Sequence, residues 1–151
     1  MALAEVVEDA RALVRPLLAQ RRQTLTVTLP EDLPLLAGDK PRLTQVFVNL
    51  LANANKFAPE DSTVRIGAAA RPGQVLAWVE DEGPGPAASD GEALFARFQR
   101  GGGAEPEAAG LGLGLWLVKS IIDRHSGSVA FERTAAGRTR FTLILPAEDG
   151  A

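Results

Sequence analysis

Gln45-Val46-Phe47-Val48-Asn49-Leu50-Leu51-Ala52-Asn53-Ala54-Asn55-Lys56-Phe57 is the stretch on which the reading of this chain turns. Leu43, Val46, Phe47, Leu50, Leu51 and Ala54 recur at three- and four-residue spacing, which predicts an amphipathic helix with one face in a core. Gln45, Asn49, Asn53 and Lys56 form a second stripe, since at ~100° per residue they fall within an arc of about 80°. Asparagine costs roughly 0.5 kcal/mol more than alanine in a helix, and three stand within seven residues here. Something should offset that cost. A solvated face is one reading, although such faces favour Glu, Lys, Gln and Arg. The other is that amide oxygens ligate a hard cation while Lys56 meets a phosphate. Spacing alone leaves the two even.

Outward from this helix the pattern is regular. Asp39 is a good N-cap with Pro41 in the first turn, and Pro59 closes the helix after Phe57. Before it, Leu3 to Leu18 reads as an amphipathic helix despite Pro16, and Thr24 to Leu29 alternates as a half-buried strand. After it, Thr63 to Ala68 and Val75 to Asp81 form a hairpin around Pro72-Gly73. The segment Glu82 to Gly114 carries nine of the 15 glycines and reads mostly as loop, with an apolar island at Leu94 to Phe98. Leu115 to Arg124 reads as a helix with Gly127 at its C-terminal cap, and a protonated His125 there would suit the helix dipole. Ser128 to Arg133 and Arg138 to Leu145 close the chain as a hairpin around Gly137. This order predicts an α/β (α+β) two-layer sandwich, its mixed sheet mostly antiparallel, with helices on one face.

Composition agrees with one domain over residues 1–151, at 46% hydrophobic and 23% charged. A net charge of −3 gives no footprint for nucleic acid or an anionic membrane. With no cysteine and one histidine, thiol catalysis and zinc-thiolate sites are excluded, and a reducing, cytoplasmic setting is favoured. No run approaches the ~18 apolar residues of a membrane span.

Two further features carry chemistry. Val79-Glu80-Asp81-Glu82-Gly83-Pro84-Gly85 is an apolar strand ending in a carboxylate and two glycines. Such a carboxylate can accept a hydrogen bond from an exocyclic amine, and backbone without side chains lets a flat ring approach. Gly110-Leu111-Gly112-Leu113-Gly114-Leu115 opens a predicted helix, where N–H groups and a positive dipole end suit phosphates. An ordinary turn and a flexible connector are the plain alternatives.

Taken in order, the three features resemble the N, G1 and G2 boxes of the catalytic ATP-binding domain of sensor histidine kinases, in the GHKL superfamily with gyrase and certain chaperones. Phe95-Ala96-Arg97-Phe98 is similar to the F box, and His125-Ser126-Gly127 and Thr139-Arg140-Phe141 to the closing signatures. The resemblance implies a Bergerat-type fold that binds ATP and Mg²⁺. It implies that Asn53 holds Mg²⁺, that Asn49 and Lys56 face the phosphates, and that Asp81 binds the adenine amino group. Gly83 and Gly85 would line the base, with Gly110, Gly112, Gly114 and Thr139 completing the nucleotide set. Gln99 to Ala109 would form the ATP lid, with Arg97 or Arg100 at the terminal phosphates. The family departs here at Pro86, at Ser126 in place of a common glycine, and at Glu60-Asp61, which lacks the glycine often found after the N box.

The implied activity is transfer of the γ-phosphate to a histidine on a separate dimerisation domain, with a response regulator downstream. His125-Ser126 lacks the acidic neighbour of that acceptor and reads as structural, so the acceptor domain would lie outside this chain. An ATP-hydrolysing module of gyrase or chaperone type and a degenerate nucleotide-binding module are the alternatives. The former resembles enzymes with a glutamate base near the position of Asn49, and an amide cannot take the proton. No nucleic acid and no direct membrane contact are expected of this chain.

Overall fold

The computed structural model describes residues 1–84 and 106–148, with side chains from residue 114 onward in the second stretch. Its elements are α1 (Leu3–Gln20), β1 (Thr24–Thr28), α2 (Lys40–Phe57), β2 (Thr63–Arg71), β3 (Gln74–Asp81), α3 (Pro106–Arg124), β4 (Ser128–Arg133) and β5 (Thr139–Pro146). The strands form one sheet in the order β1-β2-β3-β5-β4. Only β1 and β2 run parallel, and the β2–β3, β3–β5 and β5–β4 pairs are antiparallel. This is the two-layer α/β sandwich that the element order implied.

The alternation along each strand sends one set of side chains to the helices. Val64, Ile66 and Ala68 of β2, Val75, Ala77 and Val79 of β3, and Phe141, Leu143 and Leu145 of β5 are buried. They meet the apolar stripes of α1 (Leu3, Val6, Val7, Ala10, Val14, Leu18) and α2 (Leu43, Val46, Phe47, Leu50, Leu51, Ala54), with Leu115, Val118, Ile121 and Ile122 of α3. On the other face, the Trp78 ring lies over Gly67, and the Arg140 guanidinium sits 5.1 Å from the ring centroid.

The expected starts and stops hold for most elements. Asp39 caps α2, its carboxylate accepting from the Arg42 N–H at 3.1 Å. Three expectations change. First, α3 begins at Pro106, so Gly110, Gly112 and Gly114 stand within the helix rather than in a loop ahead of Leu115. Proline suits a first helical turn, and Glu107, Ala108 and Ala109 propagate it into the glycines. Second, the C-terminus of α3 is a Schellman motif in which Ser126, not Gly127, takes the left-handed conformation (φ 59°). The Ser126 N–H donates to Asp123 O and the Gly127 N–H to Ile122 O.

Third, His125 bonds to both helices rather than only facing the dipole at the helix end. Its Nε2 accepts from the Asp39 N–H at 3.0 Å, which fixes the neutral tautomer, with Nδ1–H donating to Ile121 O at 2.8 Å. The ring thus ties the start of α2 to the end of α3. Asp61, in the Glu60-Asp61 pair that follows α2, is also left-handed (φ 64°). Its carboxylate accepts from the Arg22 Nε at 2.8 Å, and aspartate tolerates this conformation better than most residues.

Candidate functional site

The three asparagines of α2 have different accounts. Asn55 donates to Leu17 O at 2.9 Å and to Gln23 Oε1 at 2.8 Å. The Gln23 amide in turn donates to the carbonyls of Asn55, Ala58 and Pro59. Asn55 therefore offsets its helix cost by cross-linking α2 to the α1–β1 corner. Asn49 accepts from Gln45 Nε2 at 2.7 Å and donates to Gly114 O at 3.2 Å, joining α2 to the last glycine of the G2 run.

Asn53 is different. It is buried, and its Nδ2 has no hydrogen-bond partner among the described residues. A buried amide whose needs the protein leaves unmet is costly without a ligand. A half-turn of the amide interchanges its oxygen and nitrogen, so Asn53 fits a hard cation as an oxygen donor. Among the described residues no three His, Asp or Glu side chains converge as a metal site. Lys56 lies at the exposed end of the stripe, its ammonium 5.9 Å from the Phe57 ring centroid.

The end of β3 approaches the end of α2. A Cβ at Gly83 would sit 2.4 Å from Phe57 O and 2.8 Å from Ala58 Cα. Glycine is therefore required at 83 by backbone packing, a reason absent from the sequence reading. Thr139, paired with Asp81 across β3 and β5, donates its hydroxyl to Gly83 O at 2.9 Å and holds this turn from the other side.

Asp81 is the focus. It continues the buried face of Val75, Ala77 and Val79 and is 5% exposed. Its Oδ1 accepts the Gly83 N–H at 2.7 Å. Burial pushes its carboxyl up to about 6; the Gly83 hydrogen bond works against this, and the charges of Glu80 and Glu82 add to it. Among the described residues no cation is paired with it. Asp81, Gly83 and Thr139 are thus brought together at the ends of β3 and β5 beside the C-terminus of α2, and Asn49 and Gly114 are joined separately between α2 and α3. Gly85, Pro86, Arg97, Arg100 and the F box lie outside the described residues, as do residues 99–105 of the expected lid. Pro106 to Ala109, the rest of that segment, form the first turn of α3.

Sequence reasoning missed Gln23 and the group Glu80, Arg138 and Arg140. The buried Glu80 carboxylate accepts from Arg138 Nη1 at 3.1 Å and Arg140 Nε at 2.9 Å on the outer face of the sheet. The signal for the latter was available, because Glu80, Arg138 and Arg140 share one side of the alternation. Gln23 lies between helix and strand and carried no periodic signal.

The sequence profile of the family described as "Histidine kinase-, DNA gyrase B-, and HSP90-like ATPase" matches residues 38–149. The adaptive-response sensory kinase SasA of Synechocystis sp. is 31% identical over 150 residues, covering 97% of this chain and 38% of SasA. Sensor protein KdpD of Escherichia coli is 34% identical over 147 residues, covering 97% of this chain and 16% of KdpD. The chain therefore spans well under half the length of these relatives. Among solved structures, the catalytic domain of histidine kinase ThkA matches with a TM-score of 0.82 at 25% identity, over 97% of this chain and 93% of that one. The mycobacterial sensor histidine kinase MprB matches with a TM-score of 0.79 at 26% identity, over 98% and 96%. On the matched profile, the shared architecture and these relatives, the chain belongs to the family of histidine kinase-, DNA gyrase B- and HSP90-like ATPases, as a catalytic ATP-binding domain of the sensor histidine kinase type.

Proposed function

We propose that this chain binds Mg-ATP between α2 and the end of β3 and donates its γ-phosphate to a histidine on a separate dimerisation domain. The observation that carries the reading is Asp81, a buried carboxylate with no paired cation among the described residues. Such a group destabilises the empty protein and is matched by a ligand that donates a hydrogen bond, as the exocyclic amine of adenine does. Gly83 and Thr139 fix the turn that aims it.

Asn53 would hold Mg²⁺, which neutralises phosphate charge as the phosphoryl group transfers. Asn49 and Lys56 would face the phosphates, and Gly85, Gly110, Gly112 and Gly114, with Arg97 or Arg100, would complete the nucleotide contacts. The glycines of α3 make this part of the helix weak, at about 1 kcal/mol each against alanine. Unwinding there would free N–H groups for phosphate oxygens.

Both ring nitrogens of His125 are engaged, which supports an acceptor elsewhere. A glutamate base for water is not found at Asn49, whose amide is held by Gln45 and Gly114, and this favours phosphoryl transfer over hydrolysis. Such a domain would act in the cytoplasm, where ATP is available, with a response regulator receiving the phosphoryl group. Among the described residues no helix is long and apolar enough to cross a membrane.

The test is to mix the chain with [γ-³²P]ATP, Mg²⁺ and a folded histidine-bearing dimerisation domain of a related sensor kinase. Acid-labile phosphate on the added domain is expected, and it should disappear with Asn53→Ala. Fast hydrolysis by the chain alone, with no phosphate transferred to any such domain, would contradict the reading.

A further inference from the structure

At the opposite end of the sheet from β4 lies β1, whose second edge pairs with no strand among the described residues. The register fixes which groups it offers. Thr24 N–H donates to Ser62 O, so Thr24, Thr26 and Thr28 bond to β2, and the alternation turns the N–H and C=O of Leu25 and Val27 outward. These four groups have no partner among the described residues.

Natural sheets guard such edges with charge, proline or a bulge. The sequence Thr24-Leu25-Thr26-Val27-Thr28 has none of these and consists of β-formers. By contrast, β4 at the other edge ends in Glu132-Arg133, and Arg133 is anchored on Pro84 O.

A groove of about 290 Å³ runs beside this edge, lined by Arg11, Arg15 and Leu18 of α1 and by Gln23, Thr24 and Leu25. Arg15 has no ion pair among the described residues, and Arg11 meets only Glu8, at 3.3 Å with both side chains exposed. An exposed pair of that kind is easily exchanged for a better carboxylate. Glu31 and Asp32 stand just past the far end of β1. The charge therefore runs from positive beside Thr24 and Leu25 to negative beyond Thr28.

We propose that the free edge of β1 takes an extended acidic segment of a partner protein as a sixth strand, its carboxylates meeting Arg11 and Arg15. Backbone pairing to Leu25 and Val27 supplies affinity, and the two guanidinium groups supply the preference for acid.

The probe is acetyl-(Glu-Val)3-amide, titrated into the ¹⁵N-labelled chain at low salt, with acetyl-(Lys-Val)3-amide as the charge-reversed control. The acidic peptide is expected to slow hydrogen exchange at Leu25 and Val27 at least tenfold and to leave Thr24, Thr26 and Thr28 little changed. The double variant Arg11→Glu with Arg15→Glu, at surface positions of α1, should weaken binding at least tenfold. Its unchanged circular dichroism and Tm would show that the fold is intact. Three outcomes overturn the proposal: equal binding of the lysine peptide, shifts confined to other elements or absent at millimolar peptide, and protection of Leu25 and Val27 that grows with protein concentration alone. The last would assign the edge to a second copy.

Discussion

Glu80 and Asp81 are consecutive on β3, both 5% exposed, and the pleat sends them to opposite faces of the sheet. On the outer face, burial pushes the Glu80 carboxyl up, but hydrogen bonds and charge from Arg140 and Arg138 outweigh it and hold it below its usual range. On the inner face Asp81 has one N–H and no paired arginine, and its carboxyl rises to about 6. The same chemistry one residue apart is thus structural in one case and unfinished in the other. Asn55 and Asn53 on α2 repeat the contrast with amides, one satisfied by Leu17 O and Gln23, the other with an orphaned Nδ2. In these two pairs the member with unmet polar demand lies in the proposed nucleotide site and the satisfied member in the scaffold.

The largest expected effect lies on the unfinished side. Asp81→Asn should weaken Mg-ATP binding roughly a hundredfold at pH 7.5, the upper end for a lost hydrogen bond to a charge. The sign on stability is opposite. With a folded value near 6 against 3.8, ionising Asp81 opposes folding, and stability should fall as pH rises through that window. Asp81→Asn should therefore unfold at a higher temperature than the parent at pH 8, by an amount on the order of 1 kcal/mol after allowing for solvent screening.

Gly83→Ala comes next. With Phe57 O at 2.4 Å from the new Cβ, backbone must move, at a cost of about 2 kcal/mol in a urea titration. Glu80→Gln should cost about 1.5 kcal/mol and leave nucleotide affinity within twofold. Glu80 stabilises the fold above its unfolded value of 4.5, and that contribution is lost as pH falls through its lower folded value. Comparing melts at pH 7 and pH 3 should therefore shrink the difference between parent and Glu80→Gln. Asn55→Ala should cost about 1 kcal/mol, whereas Asn53→Ala should change stability by less than about 0.5 kcal/mol while removing the Mg²⁺ dependence of nucleotide binding. If both asparagine variants behaved alike in melts and in binding, the contrast drawn on α2 would be wrong.

The smallest effect concerns the helix end. Ser126→Gly relieves a left-handed residue and should stabilise by about 0.5–1 kcal/mol.

Much of this was legible in advance. Periodicity located every described strand within a few residues, because one-sided burial leaves a period of two in β2, β3 and β5 and a period near 3.6 in α1 and α2. The stripe of Gln45, Asn49, Asn53 and Lys56 was visible, but the bridge from Asn49 to Gly114, the orphaned amide of Asn53 and the cross-link from Asn55, on another face, to Gln23 were not, since each depends on partners remote in sequence. Gly83 was noticed for a bound ring, and its contact is Phe57 O, a tertiary approach that no local pattern encodes. The start of α3 lies earlier than the sequence suggests, because glycine content there outweighs the signal of Pro106 and the alanines that follow it. The sequence suggests only a dipole role for His125, because Asp39, its partner, is distant in the chain.

The central claim is that nucleotide binding depends on the ionised carboxylate of Asp81. Its most direct test is the Mg-ATP dissociation constant, measured by calorimetry from pH 7.5 to 5 for the parent and Asp81→Asn. Taking the ratio of the two cancels the titration of ATP itself. The predicted ratio favours the parent roughly a hundredfold at pH 7.5 and collapses toward one as the pH falls through about 6. A ratio near one at every pH, in two folded proteins, would contradict the account.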